Sequence, residues 1–283
     1  MNLRVSCNLA YELNSPSTFL FALKCLETGG QKIISESLET NPQVDVENFH
    51  IVSGMNRFSR ILTHNPGALE VSYQAEVSLS HRIVDVSDIW YNTTSSLNPE
   101  GIPFLFPSRY CQSDIMRQQA SELFGHIKGP YTIASAVSDW IHENIAYVSG
   151  SSGETSSALN TMNGREGVCR DFAHLGITLC RALNVPARYV TVYAHQLDPQ
   201  DFHACFEVFI GGWWYIFDAT RLAPLNGLVR IATGRDAADA AVCTIFGDPQ
   251  LTESQVACEN LDPDFVPVTR DSLVTANQAI LLL

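Results

Sequence analysis

The stretch 201–220, DFHACFEVFIGGWWYIFDAT, constrains the geometry of this chain more than any other. Two apolar, aromatic-rich runs flank Gly211-Gly212, a pair suited to the tight two-residue turn that joins antiparallel strands. Such a loop sets the register. Ile210 then opposes Trp213, Phe209 opposes Trp214 and, counting outward, Cys205 opposes Asp218. His203 precedes Cys205 by two residues and shares its face of the strand. Asp218 is therefore a diagonal neighbour of His203, at a separation that a carboxylate and an imidazole can close. A single bulge would spoil the count.

The segment 164–190, GREGVCRDFAHLGITLCRALNVPARYV, reads as a helix with one buried face. Phe172, Leu175, Leu179 and Leu183 recur at three- and four-residue steps. Gly167 suits a tight entry to that helix, and Asn184 with Pro186 suits its end. Cys169 lies three residues before Phe172, on the same stripe and in the first turn. There a thiol feels the positive end of the helix dipole and the free backbone N–H groups, which favour thiolate. Core filling is the ordinary reading of a lone cysteine. A core histidine and a strand-end carboxylate are the ordinary readings of His203 and Asp218. Together the three supply the parts of a Cys–His–Asp relay, provided that the helix tip abuts the hairpin.

The 283 residues suggest about two domains. A net charge of −13 argues against nucleic acid or an anionic membrane as partner. The first residues, MNLRVSCNLAYELNSPSTFLF, lack a basic segment followed by a continuous apolar run, so no secretory signal is expected. No apolar run approaches the roughly 18 residues of a membrane span; the final ILLL reads as a terminal strand. Eight cysteines without a CxxC pair point to reduced thiols and a cytoplasmic location. The usual ligand spacings are absent, so no metal site and no cofactor are expected.

Residues 1–106 read as an antiparallel β-sandwich. The runs FLFALKCL, NFHIVSG, FSRILTH and ALEVSYQAEVSLSHRIVDV are rich in β-branched and aromatic residues. Leu69, Val71, Tyr73, Ala75, Val77 and Leu79 alternate with polar residues, as in a strand facing a second layer. Residues 107–283 read as an α+β domain. Ser113 or Asp114 is expected to cap a helix over IMRQQASELFGHI. A second helix carries Ile133, Val137, Trp140, Ile141 and Ile145 on one face. A Ser/Gly/Thr/Asn-rich loop then leads to Cys169. Asp171 and His174 are expected to face solvent or neighbouring loops. Cys205 reads as filler, and Asp236 as a loop anchor.

The segments GREGVCRDFAHLGITLCRALNVPARYV, DFHACFEVFIGGWWYIFDAT and VRIATGRDAADA resemble, in this order, the core of the transglutaminase-like superfamily, in its bacterial cysteine-protease branch. SRYCQSD and WIHENIAY resemble the segments before that core, and the β-rich N-terminal part resembles its accessory domain. The resemblance implies a papain-like α+β fold with Cys169 as nucleophile, His203 as base and Asp218 as orienting acid. The Cys169 backbone N–H, with the Asn163 side chain as a second candidate, would bind the oxyanion. The implied enzyme is a thiol protease, amidase or acyltransferase acting on a peptide or protein substrate. An arylamine N-acetyltransferase-like enzyme and a non-catalytic interaction protein keeping the fold stay open as alternatives. Two positions depart from the family pattern. Arg170 follows the nucleophile where animal transglutaminases have an aromatic residue, and Cys205 stands where many relatives have Trp. No acidic loop suits calcium, so the metal dependence of the animal enzymes is not carried over.

Overall fold

The computed structural model describes residues 1–50, 56–90 and 98–283. Seven strands come first: β1 (Asn2–Leu13), β2 (Ser17–Phe21), β3 (Gln31–Asn41), β4 (Val46–His50), β5 (Arg57–Thr63), β6 (Gly67–Leu79) and β7 (His81–Asp85). Then follow α1 (Arg117–Phe124), α2 (Pro130–Asn144), β8 (Ala146–Tyr147), α3 (Ala158–Gly164), β9 (Glu166–Gly167) and α4 (Cys169–Ala182). The chain continues through β10 (Ala187–Ala194), β11 (Phe202–Ile210), β12 (Trp213–Phe217), β13 (Leu228–Gly234) and α5 (Ala237–Ala240). It closes with β14 (Cys243–Phe246), β15 (Pro249–Asn260), α6 (Arg270–Ala276) and β16 (Gln278–Leu282).

Two four-stranded sheets, β15-β1-β6-β3 and β14-β2-β5-β4, form the β-rich part. All six alternating residues of β6 from Leu69 to Leu79 are buried, and across the ladder Val77 opposes Leu3 and Tyr73 opposes Cys7. The layers meet where Tyr11 packs 5.0 Å from Phe19 between ring centroids. The run FLFALKCL is strand only as far as Phe21. Beyond it, Ala22 N donates to Val242 O, Cys25 N to the Tyr73 hydroxyl and Leu26 N to Arg230 O, so the backbone is satisfied without a ladder. Of NFHIVSG, Asn48 to His50 lie in β4, and the rest falls outside the described residues.

The second part is a six-stranded sheet, β13-β10-β11-β12-β16-β7, with α4 against β10 and β11. A boundary near residue 106 does not divide the sheets. β7 completes the edge of the six-stranded sheet beside β16, while β14 and β15 return to the sandwich. The register of the outgoing strands, not chain order, sets the layers.

Three expectations are corrected. Helix α4 is buried on every side from Asp171 to Ala182, because α1, α2 and α3 cover the face turned from the sheet. Neither Ser113 nor Asp114 caps α1, which starts at Arg117 after Met116 with no side-chain cap. The small-residue segment before Cys169 holds α3, whose entry is fixed by Ser157 N donating to Asn160 Oδ1 at 3.0 Å. Among the described residues, no helix is long and apolar enough to cross a membrane.

Candidate active site

Residue 169 is presented by a rigid entry. Strand β9 pairs in parallel with β8, and Val148 N donates to Gly167 O at 3.0 Å. A Cβ on Gly167 would lie 2.6 Å from the Asp171 Cβ, so only glycine fits there. Asp171 folds back on the same turn. Its Oδ2 accepts from Val168 N at 2.8 Å and from the Ser152 hydroxyl. Arg170 donates to Gly153 O at 2.8 Å, tying the preceding loop to the helix. Cys169 is the first helical residue, half-buried and unpaired, and its N–H has no intrahelical acceptor. Burial pushes the other seven thiols up, with Cys25, Cys111, Cys205 and Cys243 at about 12.

The hairpin register runs as the two-glycine turn requires: Ile210 opposes Trp213, Phe209 opposes Trp214 and Phe206 opposes Phe217. One step further out, His203 and Asp218 form a buried pair, Nε2 to Oδ2 at 2.9 Å. The other carboxylate oxygen of Asp218 accepts from Thr220 N at 3.0 Å and the Thr220 hydroxyl at 2.7 Å. Burial alone would push the imidazole down. The Asp218 carboxylate outweighs it and holds His203 well above the ordinary histidine range. The Cys169 thiol is close enough to add to that shift. Burial would likewise push Asp218 up, but the His203 charge and the Thr220 bonds keep it below the usual carboxylate range.

The fold thus brings Cys169, His203 and Asp218 to one place. Asn163 is different. It sits in the last turn of α3 rather than in a loop, exposed, and its amide has no hydrogen-bond partner among the described residues. Nothing in the fold fixes it as an oxyanion donor.

Asp171 and His174 do not face solvent; both are 0% exposed. Asp171 caps α4, as above. His174 stacks between Tyr110 and Tyr189, each 5.0 Å away between ring centroids, and its Nε2 accepts from Ala237 N at 3.1 Å. Burial, reinforced by Arg170 and Arg181, pushes His174 down to about 3. Asp236 anchors the adjoining loop, accepting from Tyr110 N at 2.9 Å and Ala238 N at 2.9 Å. Sequence reasoning missed Thr220, although a hydroxyl two residues after a carboxylate is a common local partner. It also missed Tyr147, whose ring lies 5.7 Å from that of Phe172, on the stripe shared with Cys169. Cys205 is buried in the same cluster: a ring nitrogen of His203, Cys205 Sγ and an Asp218 oxygen lie within 4.8 Å of one another.

A cysteine opening a buried helix against a His–Asp pair carried by one hairpin, in a mixed α/β core preceded by β-sheets, defines a papain-like class of architecture. The sequence comparisons agree. Residues 117–219 match the transglutaminase-like superfamily core, and residues 1–95 match the bacterial transglutaminase N-terminal domain. The chain belongs to the transglutaminase-like superfamily. It is similar to a crystal structure from Cytophaga hutchinsonii described as a cysteine protease candidate, at 46% identity and a TM-score of 0.95, covering 100% of this chain and 98% of that one. It is 29% identical over 120 residues to the uncharacterized protein ML0607 of Mycobacterium leprae, spanning 40% of this chain and 43% of that protein. The periplasmic domain of TgpA from Pseudomonas aeruginosa matches over 75% of each chain at 17% identity, with a TM-score of 0.39.

Proposed function

We propose that this protein is a thiol acyl-transfer enzyme that cleaves a peptide or carboxamide bond, with Cys169 as nucleophile, His203 as base and Asp218 as the acid that orients it. The observation that carries the reading is the sealed His203–Asp218 pair beside a half-buried cysteine at a helix N-terminus. Nε2 donates to Asp218, which leaves Nδ1 as the nitrogen that takes the Cys169 proton. The thiolate sulfur bonds to the substrate carbonyl carbon, and the Cys169 N–H receives the developing oxyanion. On collapse the C–N bond breaks, and the leaving amine takes the proton from Nδ1. A thioester remains, and water releases the acid by the reverse proton path. Deacylation by an amine instead would make the product a transamidated substrate.

The partner is therefore a peptide or protein substrate, and the eight unpaired thiols support a reducing, cytoplasmic compartment. A library of peptides and glutamine amides, assayed for ammonia or amine release, tests the reading. Cleavage by the wild type and none by Cys169→Ala is the expected result. Turnover that requires acetyl-coenzyme A would replace it with an arylamine N-acetyltransferase-like reaction. Equal activity of the two proteins would remove Cys169 from the chemistry.

A further inference from the structure

Cys205 is the one member of the buried cluster for which acyl transfer has no use. We propose that Cys205, His203 and Asp218 form a binding site for a thiophilic divalent cation of the zinc type, and that the cation switches the relay off. The donor atoms already lie within 4.8 Å of one another, and none of the three residues is more than 4% exposed. Zinc holds sulfur at about 2.3 Å and nitrogen or oxygen at about 2.0–2.2 Å, which sets tetrahedral donors roughly 3.3–3.6 Å apart. The His203–Asp218 contact at 2.9 Å has to open by a few tenths of an ångström, and the sulfur has to close in. Both are side-chain adjustments. The cation then takes the place of the proton between Nε2 and Oδ2.

A second observation supports a ligand there. The far oxygen of Asp218 is held by both the N–H and the hydroxyl of Thr220, the outer partnership that fixes a metal-binding carboxylate. A thiolate, an imidazole and one carboxylate suit zinc rather than calcium or magnesium, which take oxygen ligands. The exchange balances without redox chemistry. The Cys205 thiol proton leaves to solvent as the cation enters, the ring proton passes from Nε2 to Nδ1, and water fills the fourth position. With the cation on Nε2 and the ring's proton on Nδ1, the imidazole no longer takes a proton from Cys169.

The full chain carrying Cys169→Ala, titrated with Co2+, separates this site from simple metal capture by the nucleophile. A thiolate-to-cobalt charge-transfer band at one ion per chain is expected, displaced by Zn2+ and absent from Cys169→Ala/Cys205→Ala. In the active protein, Cys205→Ala should keep its turnover while the zinc concentration for half-inhibition rises at least about tenfold. Cys205→Ser, checked by thermal melting, serves if the alanine variant is destabilised. Identical cobalt spectra with and without Cys205, or equal zinc inhibition of wild type and both Cys205 variants, overturns the site. The cobalt measurement needs no substrate. A Cys205-dependent band in a protein that cleaves nothing would keep the metal site and reject only the enzymatic reading.

Discussion

Each oxygen of Asp218 has a different duty, and that asymmetry makes Asp218→Asn informative. One oxygen accepts two bonds from Thr220; the other accepts the His203 Nε2–H. An asparagine whose oxygen satisfies Thr220 turns its NH2 toward Nε2. The ring must then accept at Nε2 and carry its proton at Nδ1, the wrong tautomer for a base facing Cys169. Activity should fall by roughly two to four orders of magnitude, as it does in the serine relay, while the melting midpoint barely moves. Alkylation of Cys169 near neutral pH should slow in the same samples. Unchanged single-turnover acylation would take Asp218 out of the relay. His174 yields a second residue-scale expectation. Its folded pKa is depressed to about 3, so the unfolded chain binds the extra proton first as pH falls below the ordinary histidine value of about 6.5. Its contribution to stability is complete above that value. Each unit of acidification toward pH 3 then costs about 1.4 kcal/mol. His174→Phe keeps the stacking and removes the proton site, so its urea midpoint should fall less steeply from pH 6 to 4. Parallel slopes in the two proteins would contradict this.

Among the elements, α4 and the β11–β12 hairpin were legible for one reason: short-range periodicity and a two-glycine turn fix register without knowledge of distant contacts. His203 and Asp218 could be paired on paper because their separation depends only on that turn. The burial of Asp171 and His174 could not, since it depends on Ser152 reaching Asp171 and on Tyr110, Tyr189 and Ala237 closing around His174. Residues that are polar by type and spacing look solvated until a third layer covers them. Asn163 lies in a helix that was hard to read because α3 is only seven residues long and its apolar face is limited to Ala158, Leu159 and Met162. The α4–β11 contact itself is open to test. A Cβ at Gly176 would lie 2.6 Å from Phe206 Cε1. Alanine gains about 1 kcal/mol of helix propensity over glycine, whereas overpacking costs about 1–3 kcal/mol. Gly176→Ala should therefore lower the melting midpoint, and adding Phe206→Leu should recover part of the loss through non-additivity. A Gly176→Ala protein more stable than wild type would show that the ring moves aside freely.

At the scale of the whole molecule, the exchange of strands makes the two parts depend on each other. β15 pairs along the length of β1, β14 flanks β2, and β7 closes the six-stranded sheet beside β16. Side chains continue the connection: Tyr193 donates to Leu23 O at 2.9 Å, and Gln31 makes two bonds of 2.8 Å with the backbone of Arg230. The two family matches fall on opposite sides of residue 106, yet strands cross between the two parts. A fragment of residues 107–283 would lack the β7 edge and would carry β14 and β15 without partners. Exposed strand edges of that kind template aggregation. The full chain is expected to melt in one transition, with matching calorimetric and van't Hoff enthalpies. The fragment is expected to aggregate, or to melt without cooperativity and at lower temperature. Co-expression with residues 1–106 should restore solubility, because it returns β1, β2 and β7 to their partners. A 107–283 fragment that stays monomeric and melts within a few degrees of the full chain would show that the exchanged strands are dispensable, and that the site rests on the α4–hairpin contact alone.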